Sequence, residues 1–492
     1  MILRRYFILS SLILCLFVAP AWAATYYVSA SSISTLWSAA QSMDTPCTVE
    51  TAFANAQAGD TVYFRGGTYN VPAKNTGNTY TGYYSPTNTG TSGSPIVFAS
   101  YHTIEPSEPP AIMNGTAGGT GDKPEYATIF GNNYKDYITF DGFTIQADSG
   151  TKMGRIILYG NAEDYSTGLI VKRCTFNGGD VLTNEGAMDN TDPIFLQYVD
   201  ATLIQECTIY GSDILSGNNN VSGLKTYTNS NLTVEGCYFH SNNNAIYLKS
   251  GSHGVIIRNC HFYSNRTNHI LIKNDAYCHD DVSIYNNLFR DAAVNGIRIA
   301  IDNDLPSEDA DNMMIYNNTF YNASAPGTSV VQFEEAVDGR STGCVFRDNV
   351  IASPYGTGDY ACGVLAKRFY AVAGGFDYNA YGAYPDVTTT WGSHYRTLEG
   401  IRAATLFGLT EGNHNLNSVD GAIVFTNASG TLSGVSDFSL APSSPGYKAG
   451  SGGSDMGADI SLVGPDGSES EPSTPATTQS RSTYTISGGR MQ

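Results

Sequence analysis

Four basic side chains occupy matched positions in the middle of the chain: Lys225, Lys249, Lys273 and Arg298. They lie in short runs of alternating apolar and polar residues, at 223–226, 245–249, 269–273 and 296–299. Such alternation predicts β-strands with one face turned inward. If the strands stack in register, Lys249 and Lys273 share an outward column one rung apart, and Lys225 and Arg298 flank them in the next column. In a chain with 26 basic and 45 acidic residues, this grouping indicates a site for an anionic ligand.

A cluster of this kind suits β-elimination on a polymer that contains uronic acids. A cation neutralises the carboxylate and stabilises the developing enolate, a base removes the C5 proton, and an acid protonates the leaving oxygen. Lys249 and Lys273 should lower each other's pKa because like charges lie close together, so one of them could act as a neutral base. We therefore predict that Lys249, Lys273 and Arg298 are catalytic.

Aromatic and acidic residues near the basic cluster extend the candidate site. Tyr227 and Tyr247 lie on the same strands as the basic residues, and we predict that they bind substrate together with Lys225. The turns that follow the strands carry acidic residues, among them Asp275, Asp302 and Asp304. Oxygen-rich turns can hold Ca²⁺. These three aspartates are the predicted calcium ligands, and Ca²⁺ is the one cofactor that the sequence implies.

The strands that must position these side chains belong to a repeat. A six-residue phrase recurs, with an aliphatic or aromatic residue first, Cys or Asn fourth and an apolar residue sixth. Its copies, after a weaker one at 140–145, are 171–176, 204–209, 234–239, 257–262, 284–289, 315–320, 346–351 and 376–381. The fourth positions of successive copies lie 23 to 33 residues apart. A period in this range predicts a solenoid.

Two or three strands in each repeat, with no helix between them, predict an all-β parallel β-helix rather than a doubly wound α/β sheet. An inward Asn at a coil corner can bond its own copies above and below, which is the expected role of Asn287, Asn318, Asn349 and Asn379. Four cysteines share the same position: Cys174, Cys207, Cys237 and Cys260. They form disulfides or fill a ladder of buried thiols, and the parallel Cβ vectors favour thiols.

The net charge and the hydropathy of the chain indicate which kinds of molecule it can bind. A formal net charge of −19 argues against nucleic acid. An acidic surface also repels anionic polymers, so an acidic polysaccharide would need the local basic cluster or a bridging cation. No segment beyond the first residues reaches the ~18 apolar residues of a membrane span. We expect a monomer whose partner is a polysaccharide.

The sequence also predicts the boundaries of the domain. Residues 1–23 resemble a secretion signal, with Arg4 and Arg5 before an apolar core and a small-residue cleavage pattern at 21–23. Residues 24–462 form the predicted β-helix domain. A short amphipathic helix at 48–58 is placed to cap its first coil. Residues 463–492 are rich in Ser, Pro and Thr and are predicted to be a disordered tail. The protein should therefore be secreted, periplasmic or attached to the cell surface.

Three passages resemble a known family, the right-handed parallel β-helix superfamily that includes pectate, alginate and chondroitin lyases. Residues 48–69 are similar to its capping helix and first coil, 137–381 match its repeat, and 440–458 look like the closing segment of many secreted bacterial members. The resemblance implies a single-stranded right-handed parallel β-helix of about 10–12 coils. It is specific for the fold and weak for activity, since one fold hosts many functions.

The resemblance also bears on the site. In chondroitin- and alginate-lyase relatives, a Lys-Ser pair ends such a strand and an Arg lies one coil further on. Lys249-Ser250 matches the pair, and Lys273 stands where the Arg would be. The acidic calcium ligands of those relatives are replaced here by Asn242 and Asn244.

Other functions fit the same residues. The basic side chains would equally solubilise an exposed sheet and pair with nearby carboxylates, in which case the protein is a non-catalytic glycan-binding or surface β-helix.

A polygalacturonase-like glycoside hydrolase needs aspartates close together on adjacent coils. Asp192, the 251–254 turn and Asp280-Asp281 are similar to its motifs but occur in a different order.

Overall fold

The computed structural model describes most of the chain between residues 23 and 465. The described residues are 23–72, 82–116, 126–148, 153–178, 192–213, 220–273, 279–300, 311–322, 329–334, 341–352, 362–366, 369–382, 387–390, 393–395, 397–403, 414–427, 432 and 434–465. The predicted secretion signal and nearly all of the predicted tail lie outside them. Both remain predictions.

Three long sheets run side by side along the described chain, and each coil between Ile96 and Thr390 passes through them in the order sheet 1, sheet 2, sheet 3. Sheet 1 comprises Thr25–Val28, Thr61–Phe64, Ile96–Ser100, Ile138–Asp141, Ile170–Lys172, Leu203–Gln205, Thr233–Glu235, Ile256–Arg258, Ser283–Tyr285, Met314–Tyr316, Ser341–Arg347 and Phe369–Asp377. Sheet 2 comprises Gly67–Pro72, Ala111–Thr116, Thr144–Ala147, Thr175–Asn177, Thr208–Tyr210, Tyr238–His240, His261–Tyr263, Leu288–Arg290, Thr319–Tyr321, Val350–Ile351, Ala380–Tyr381 and Val419–Asp420.

Sheet 3 carries the candidate site. It comprises Tyr126–Gly131, Met153–Tyr159, Ile194–Gln197, Ser222–Ser230, Asn244–His253, Asn268–Lys273, Asn295–Ala300, Ser329–Glu334, Cys362–Ala366, Val387–Thr390 and Ser393–Tyr395, with the short strands Ser166–Thr167 and Val199–Asp200 beside it. The described strands pair in parallel, except for the antiparallel end pair 387–390 and 393–395. The chain is a right-handed parallel β-helix, as the repeat and the resemblance predicted.

The core consists of side-chain ladders that the six-residue phrase encodes. The first phrase position points inward from sheet 1, where Val171, Ile204, Val234 and Ile257 pair in register and are fully buried. The sixth position points inward from sheet 2. There Phe239, Phe262, Phe289 and Phe320 stack with ring centroids 4.7 to 5.3 Å apart. The spacing matches that of neighbouring strands, about 4.8 Å, so each ring contacts its own copies.

The fourth phrase position fills the corner between sheets 1 and 2, as predicted. Asn318 Nδ2 donates to the Ile284 carbonyl oxygen at 2.9 Å, and Asn318 Oδ1 accepts from the backbone N–H of Asn287 at 3.1 Å. Asn349 repeats both bonds one coil further on. The ladder therefore satisfies buried backbone groups that the turn leaves open.

Cysteine takes the same place in the earlier coils. Cys260 Sγ donates to the Arg258 carbonyl oxygen at 3.1 Å, and the Cys260 backbone N–H donates to Asn287 Oδ1 at 2.9 Å, which joins the two ladders. All four cysteines of the ladder are buried free thiols, which confirms the preferred prediction. Burial raises the pKa of Cys207 and Cys260, so both stay protonated. Cys47 and Cys344 are also buried free thiols.

A residue with left-handed backbone precedes each corner residue. Arg173, Glu206, Asn286 and Asp348 have φ values of 51°, 52°, 54° and 55°. This single residue turns the chain between the end of each sheet 1 strand and the corner residue. Asn is suited to this conformation, and it occupies the position in three consecutive coils, at 259, 286 and 317.

Short helices lie at the two ends. The α-helix Val49–Asn55 begins after Thr48, whose side chain accepts from the Thr51 backbone N–H, and Phe53 stacks on Phe98 at 4.1 Å. The helix forms where predicted, while its function as a cap remains a prediction. The other helices are the α-helix Leu398–Ala403 and the 3₁₀ helices Trp37–Ala39, Tyr101–Thr103, Val435–Phe438, Ser451–Gly453 and Ile460–Leu462. Within the described residues, no helix is long and apolar enough to span a membrane.

The closing segment, 434–465, covers the outer face of sheet 2. Its Phe438, Met456 and Ile460 belong to the same buried cluster as Leu288 and Val350, which point outward from that sheet. Arg290 also lies beneath it, with its guanidinium 4.7 Å from the Tyr263 ring and 4.9 Å from the Phe438 ring. The segment therefore forms an outer layer on sheet 2, mostly without regular strands.

Candidate functional site

The predicted register of the basic cluster agrees with the strand pairing in sheet 3. Lys249 pairs with Lys273, while Tyr247 pairs with Leu271, and Leu271 pairs in turn with Arg298. Both lysines are half-buried and lie on the face of sheet 3 opposite the core. Their ammonium groups thus project from adjacent rungs of one outward column.

Lys249 lies between aromatic rings. Its Nζ is 5.3 Å from the ring centroid of Tyr227 and 5.8 Å from that of Tyr247, within cation–π range. The same ammonium donates to Asn220 Oδ1 at 3.4 Å. Asn220 and the two rings therefore hold the ammonium in place at the outer surface of sheet 3.

Lys273 and Arg298 complete the cluster at the next two coils. Lys273 ends its strand, and its carbonyl oxygen is 3.1 Å from His279 Nε2. Arg298 is half-buried and pairs with Gln332 on the following coil. His279 is fully buried, and its Nδ1 accepts from the Ser252 backbone N–H.

Lys225 differs from the sequence prediction. The residue points outward from sheet 3 as expected, yet its side chain is 0% exposed. Its Nζ lies 3.1 Å from Asp192 Oδ2 and donates to the Asn220 carbonyl oxygen. Direct contact between Lys225 and a polysaccharide is therefore blocked in this arrangement.

Asp192 is the buried counter-ion that the sequence prediction missed. It is also 0% exposed, and its Oδ1 accepts from the Ser222 backbone N–H at 3.0 Å and hydroxyl at 2.7 Å. Burial raises the pKa of Asp192, and the Lys225 ammonium opposes that rise. Because Lys225 and Lys249 both bond Asn220, the buried ion pair adjoins the proposed catalytic lysine.

The two predicted substrate tyrosines have different surroundings. Tyr247 is only 2% exposed, which leaves little of its ring for a sugar and argues against its predicted role in binding substrate. Tyr227 is half-buried, and its ring lies 5.6 Å from that of Phe195. Of the pair, Tyr227 is the one with ring surface open to a ligand.

A covered column on the outer face of sheet 3 explains both differences. Ile157, Phe195, Lys225, Tyr247 and Leu271 pair in succession, and all of them are buried although they point away from the core. The sequence does contain the relevant signal. Runs such as 156–158 and 270–272 are apolar at every position, which indicates a strand covered on both faces rather than on one.

A second ladder of amides lies where each coil enters sheet 3. Asn268 Nδ2 donates to Asn244 Oδ1 at 2.7 Å, Asn295 Nδ2 donates to Asn268 Oδ1 at 2.8 Å, and all three residues are buried. Asn242 is fully buried as well and bonds Asn265. Asn242 and Asn244 stand where the related lyases carry acidic calcium ligands. Here they are hydrogen-bonded parts of the scaffold.

The calcium prediction gains no support from the described residues. Asp275, Asp302 and Asp304 lie outside them. Among the residues that the structure does describe, no group of three or more His, Cys, Asp or Glu side chains could hold a metal ion. The buried amide ladder does not fit a calcium site, and no step below depends on calcium.

The carboxylates of the hydrolase alternative each have a different partner. Asp192 is buried just before a strand of sheet 3 begins, whereas Asp280 follows another strand and lies 3.4 Å from His253. Asp281 accepts from Asn312. Because Asp192 is fully buried against Lys225 and Ser222, it is not available as the catalytic acid or base of a hydrolase.

Comparison with known proteins identifies the same fold. A family model described as the right-handed beta helix region matches residues 154–310. The crystal structure of the pectate lyase Pel9A is 18% identical, covering 89% of this chain and 96% of the enzyme, with a TM-score of 0.54. A mannuronic-acid-specific family 6 polysaccharide lyase from human gut microbiota is 14% identical, covering 75% of this chain and 82% of the enzyme, with a TM-score of 0.42. The comparison with curated proteins found no match.

The family-model match and the likeness to Pel9A agree with the fold seen in the structure. The resemblance to right-handed parallel β-helix proteins is confirmed at the level of the fold. The identities are too low for the likeness to define an activity, because this fold hosts several chemistries.

Proposed function

We propose that the protein is a secreted polysaccharide lyase that cleaves an acidic, uronic-acid-containing polysaccharide by β-elimination. The observation that carries the proposal is the in-register pair of Lys249 and Lys273 on the outer face of sheet 3. Two half-buried amines on adjacent rungs, with a half-buried guanidinium nearby, provide the base, the acid and the carboxylate partner of the reaction.

The reaction needs one neutral and one charged lysine. The neutral amine takes the C5 proton, and the electrons of that C–H bond form the C4–C5 double bond. The bond from C4 to the glycosidic oxygen breaks, and that oxygen receives a proton from the charged lysine. The proton count balances, since one lysine gains a proton and the other loses one.

Proximity favours this division of roles. Paired residues on neighbouring strands lie about 4.8 Å apart, which is close enough for both lysine side chains to reach the same sugar residue. Arg298 lies one further coil along, in the neighbouring column. Its guanidinium suits a planar carboxylate, and neutralising that carboxylate makes the C5 proton more acidic.

The overall charge makes the local cations necessary. The chain has a formal net charge of −19, which opposes the approach of an anionic polymer. The basic cluster therefore has to provide the local attraction. Pel9A is a pectate lyase, and its similarity to this chain supports the proposal only through the shared fold.

A second candidate is a non-catalytic glycan-binding protein. The observation that favours it is the set of contacts around Lys249, whose ammonium lies near two aromatic rings and bonds Asn220. Such contacts stabilise a charged ammonium, and a charged ammonium binds carboxylates but is no base.

The test is an absorbance assay for unsaturated uronic ends on pectate, alginate and chondroitin sulfate. We expect product from at least one polymer, and we expect Lys249→Ala and Lys273→Ala to lower the rate by about 100-fold or more, in the range of lost acid–base catalysis. Lys172→Ala is the matched control, because Lys172 is a half-buried lysine on sheet 1, paired with Asp141. It should retain the wild-type rate.

The outcomes separate the two candidates. Retention of a polymer without any unsaturated product would favour the glycan-binding function. Equal rates for Lys249→Ala and the wild type, with product formed, would remove Lys249 from the chemistry.

A further inference from the structure

Four further tyrosines lie beside the outer face of sheet 3, on coils that precede the lysine pair. The ring centroids of Tyr134 and Tyr159 are 5.2 Å apart, those of Tyr159 and Tyr198 are 6.0 Å apart, and those of Tyr165 and Tyr198 are 5.8 Å apart. The interplanar angles are 80°, 75° and 60°, so the rings meet edge to face or tilted.

The tyrosine cluster continues the column of the lysine pair. Tyr159 pairs with Gln197, Gln197 with Tyr227, and Tyr227 with Lys249. Three rungs separate Tyr159 from Lys249, a distance of about 14 Å along the axis. In the opposite direction the column passes from Lys273 to Ala300, which has no ring to offer. The aromatic surface thus extends from the lysines towards the N-terminal coils.

The rings of the cluster are partly exposed to solvent. Tyr134 is 49% exposed, and Tyr159, Tyr165 and Tyr198 are half-buried. Tyr134 and Tyr198 adopt left-handed backbone, with φ of 59° and 54°. The same conformation occurs at Thr228 and Ser250, at the matching turn of the next two coils, so at Tyr198 it belongs to the turn of the repeat.

We propose that the tyrosine cluster of Tyr134, Tyr159, Tyr165 and Tyr198 binds the sugar rings of the polysaccharide at positions remote from the cleaved bond. The inference rests on the proposed function and specifies its substrate as a long polymer rather than a short oligosaccharide. The ligand is a pyranose chain, whose C–H faces stack on tyrosine rings and whose hydroxyls bond phenol and amide groups. Gln197, half-exposed between Tyr159 and Tyr227, offers such an amide.

The polymer would lie along the helix axis. One sugar residue of a polysaccharide is comparable in length with the rise from coil to coil, so successive sugars meet successive rungs. A carboxylate-bearing sugar then lies at Lys249 and Lys273 while the preceding or following sugars lie on the tyrosines. Binding by stacking also depends little on charge, which suits a surface with excess acidic residues.

The experiment measures retention and cleavage separately. Native gels cast with polygalacturonate, alginate or chondroitin sulfate report binding by the wild type, Tyr134→Ala and Tyr198→Ala. We expect retardation of the wild type in at least one gel, and a three- to tenfold weaker apparent affinity for each variant, about the strength of one aromatic contact. Tyr134→Phe should bind nearly as well as the wild type, because the ring is kept.

A similar aromatic cluster on another sheet provides the control. Tyr27, Tyr63 and Tyr101 pack on the outer face of sheet 1 with centroids 5.6 to 6.3 Å apart. Tyr63→Ala therefore removes a half-exposed ring of the same kind, away from the lysines. It should leave retardation unchanged, and a loss equal to that of Tyr134→Ala would show a general effect of lost aromatic packing and would overturn the proposal.

Other outcomes are equally decisive. Wild-type retardation that neither Tyr134→Ala nor Tyr198→Ala weakens overturns the inference, and so does the absence of retardation in all three gels. Unsaturated product is a separate readout. If the wild type cleaves a polymer while the variants show unchanged kcat/KM on it, the proposed function stands and the inference fails. If no product forms but the tyrosine variants lose retention, the inference stands for a glycan-binding protein.

Discussion

At the scale of single residues, Lys225 and Asp192 show how an outward position can become a buried ion pair. Lys225 points away from the core, but both side chains are 0% exposed and their charged atoms lie 3.1 Å apart. The pair is costly to desolvate and is retained through its hydrogen bonds to Ser222 and Asn220. Removing one of the two charges should therefore lower the free energy of unfolding more than removing both of them.

Asp192→Asn tests this directly. The variant leaves the Lys225 ammonium buried without its counter-ion, and we expect a loss of about 3–5 kcal/mol in the free energy of unfolding. The measurement is the urea midpoint at neutral pH. The control is Asp192→Asn combined with Lys225→Met, which removes both charges and should recover much of the loss. A single variant as stable as the wild type would show that the ion pair contributes nothing.

At the scale of elements, the corner ladder sets the register of every coil. Asn318 donates to two carbonyl oxygens, of Ile284 and Tyr316, and accepts from both the backbone and the side chain of Asn287. Each coil is thus joined to the one before it through one side chain. The ladder also passes from Asn to Cys at Cys260 without a break.

Asn318→Ala should destabilise the fold by about 2–4 kcal/mol, because it leaves buried backbone groups without partners. Asn318→Cys is the matched variant, since Cys260 bonds the equivalent carbonyl oxygens through its thiol at 3.1 and 3.7 Å. Asn318→Cys should lower the free energy of unfolding by less than half as much as Asn318→Ala does. Thermal and urea midpoints of the two variants provide the comparison, and equal losses would contradict the proposed role of the ladder.

The same elements show what the sequence could predict. The six-residue phrase marks the inward positions of sheets 1 and 2 and the corner between them. Counting residues along the alternating strand that follows each copy then predicts that Lys249 pairs with Lys273 on sheet 3. The burial of Lys225 did not follow, because it depends on groups packed over the outer face of sheet 3. The apolar outward residues Phe195 and Leu271 carried that information.

At the scale of the whole molecule, the outer layer on sheet 2 is part of the fold. The closing segment covers Leu288, Val350 and Ala380 and encloses Arg290 between two rings. The last described residues reach back to the middle coils, where the Gly464 backbone N–H donates to the Asn259 carbonyl oxygen at 2.7 Å. The segment thus spans several coils of the solenoid.

Deleting residues 434–492 should lower the thermal midpoint and promote aggregation. The truncation exposes several apolar side chains, each of which contributes about 1.5–3 kcal/mol when buried. Deleting only 466–492 is the control, because it keeps every described contact of the closing segment. Light scattering during a thermal ramp distinguishes the two proteins, and equal behaviour would show that the closing segment adds no stability.

The molecule as a whole presents a cationic pair and an aromatic surface on one face of an otherwise acidic solenoid. That arrangement is the basis for proposing elimination rather than hydrolysis. The two reactions differ in whether water enters the product, so the product itself distinguishes them.

The most direct measurement is mass spectrometry of the products after digestion of pectate, alginate and chondroitin sulfate in water labelled with heavy oxygen. The proposed lyase yields fragments with an unsaturated end, each lighter by one water than the hydrolysis product and free of the label. Saturated fragments that carry the label would show hydrolysis and contradict the assignment of Lys249 and Lys273 to β-elimination.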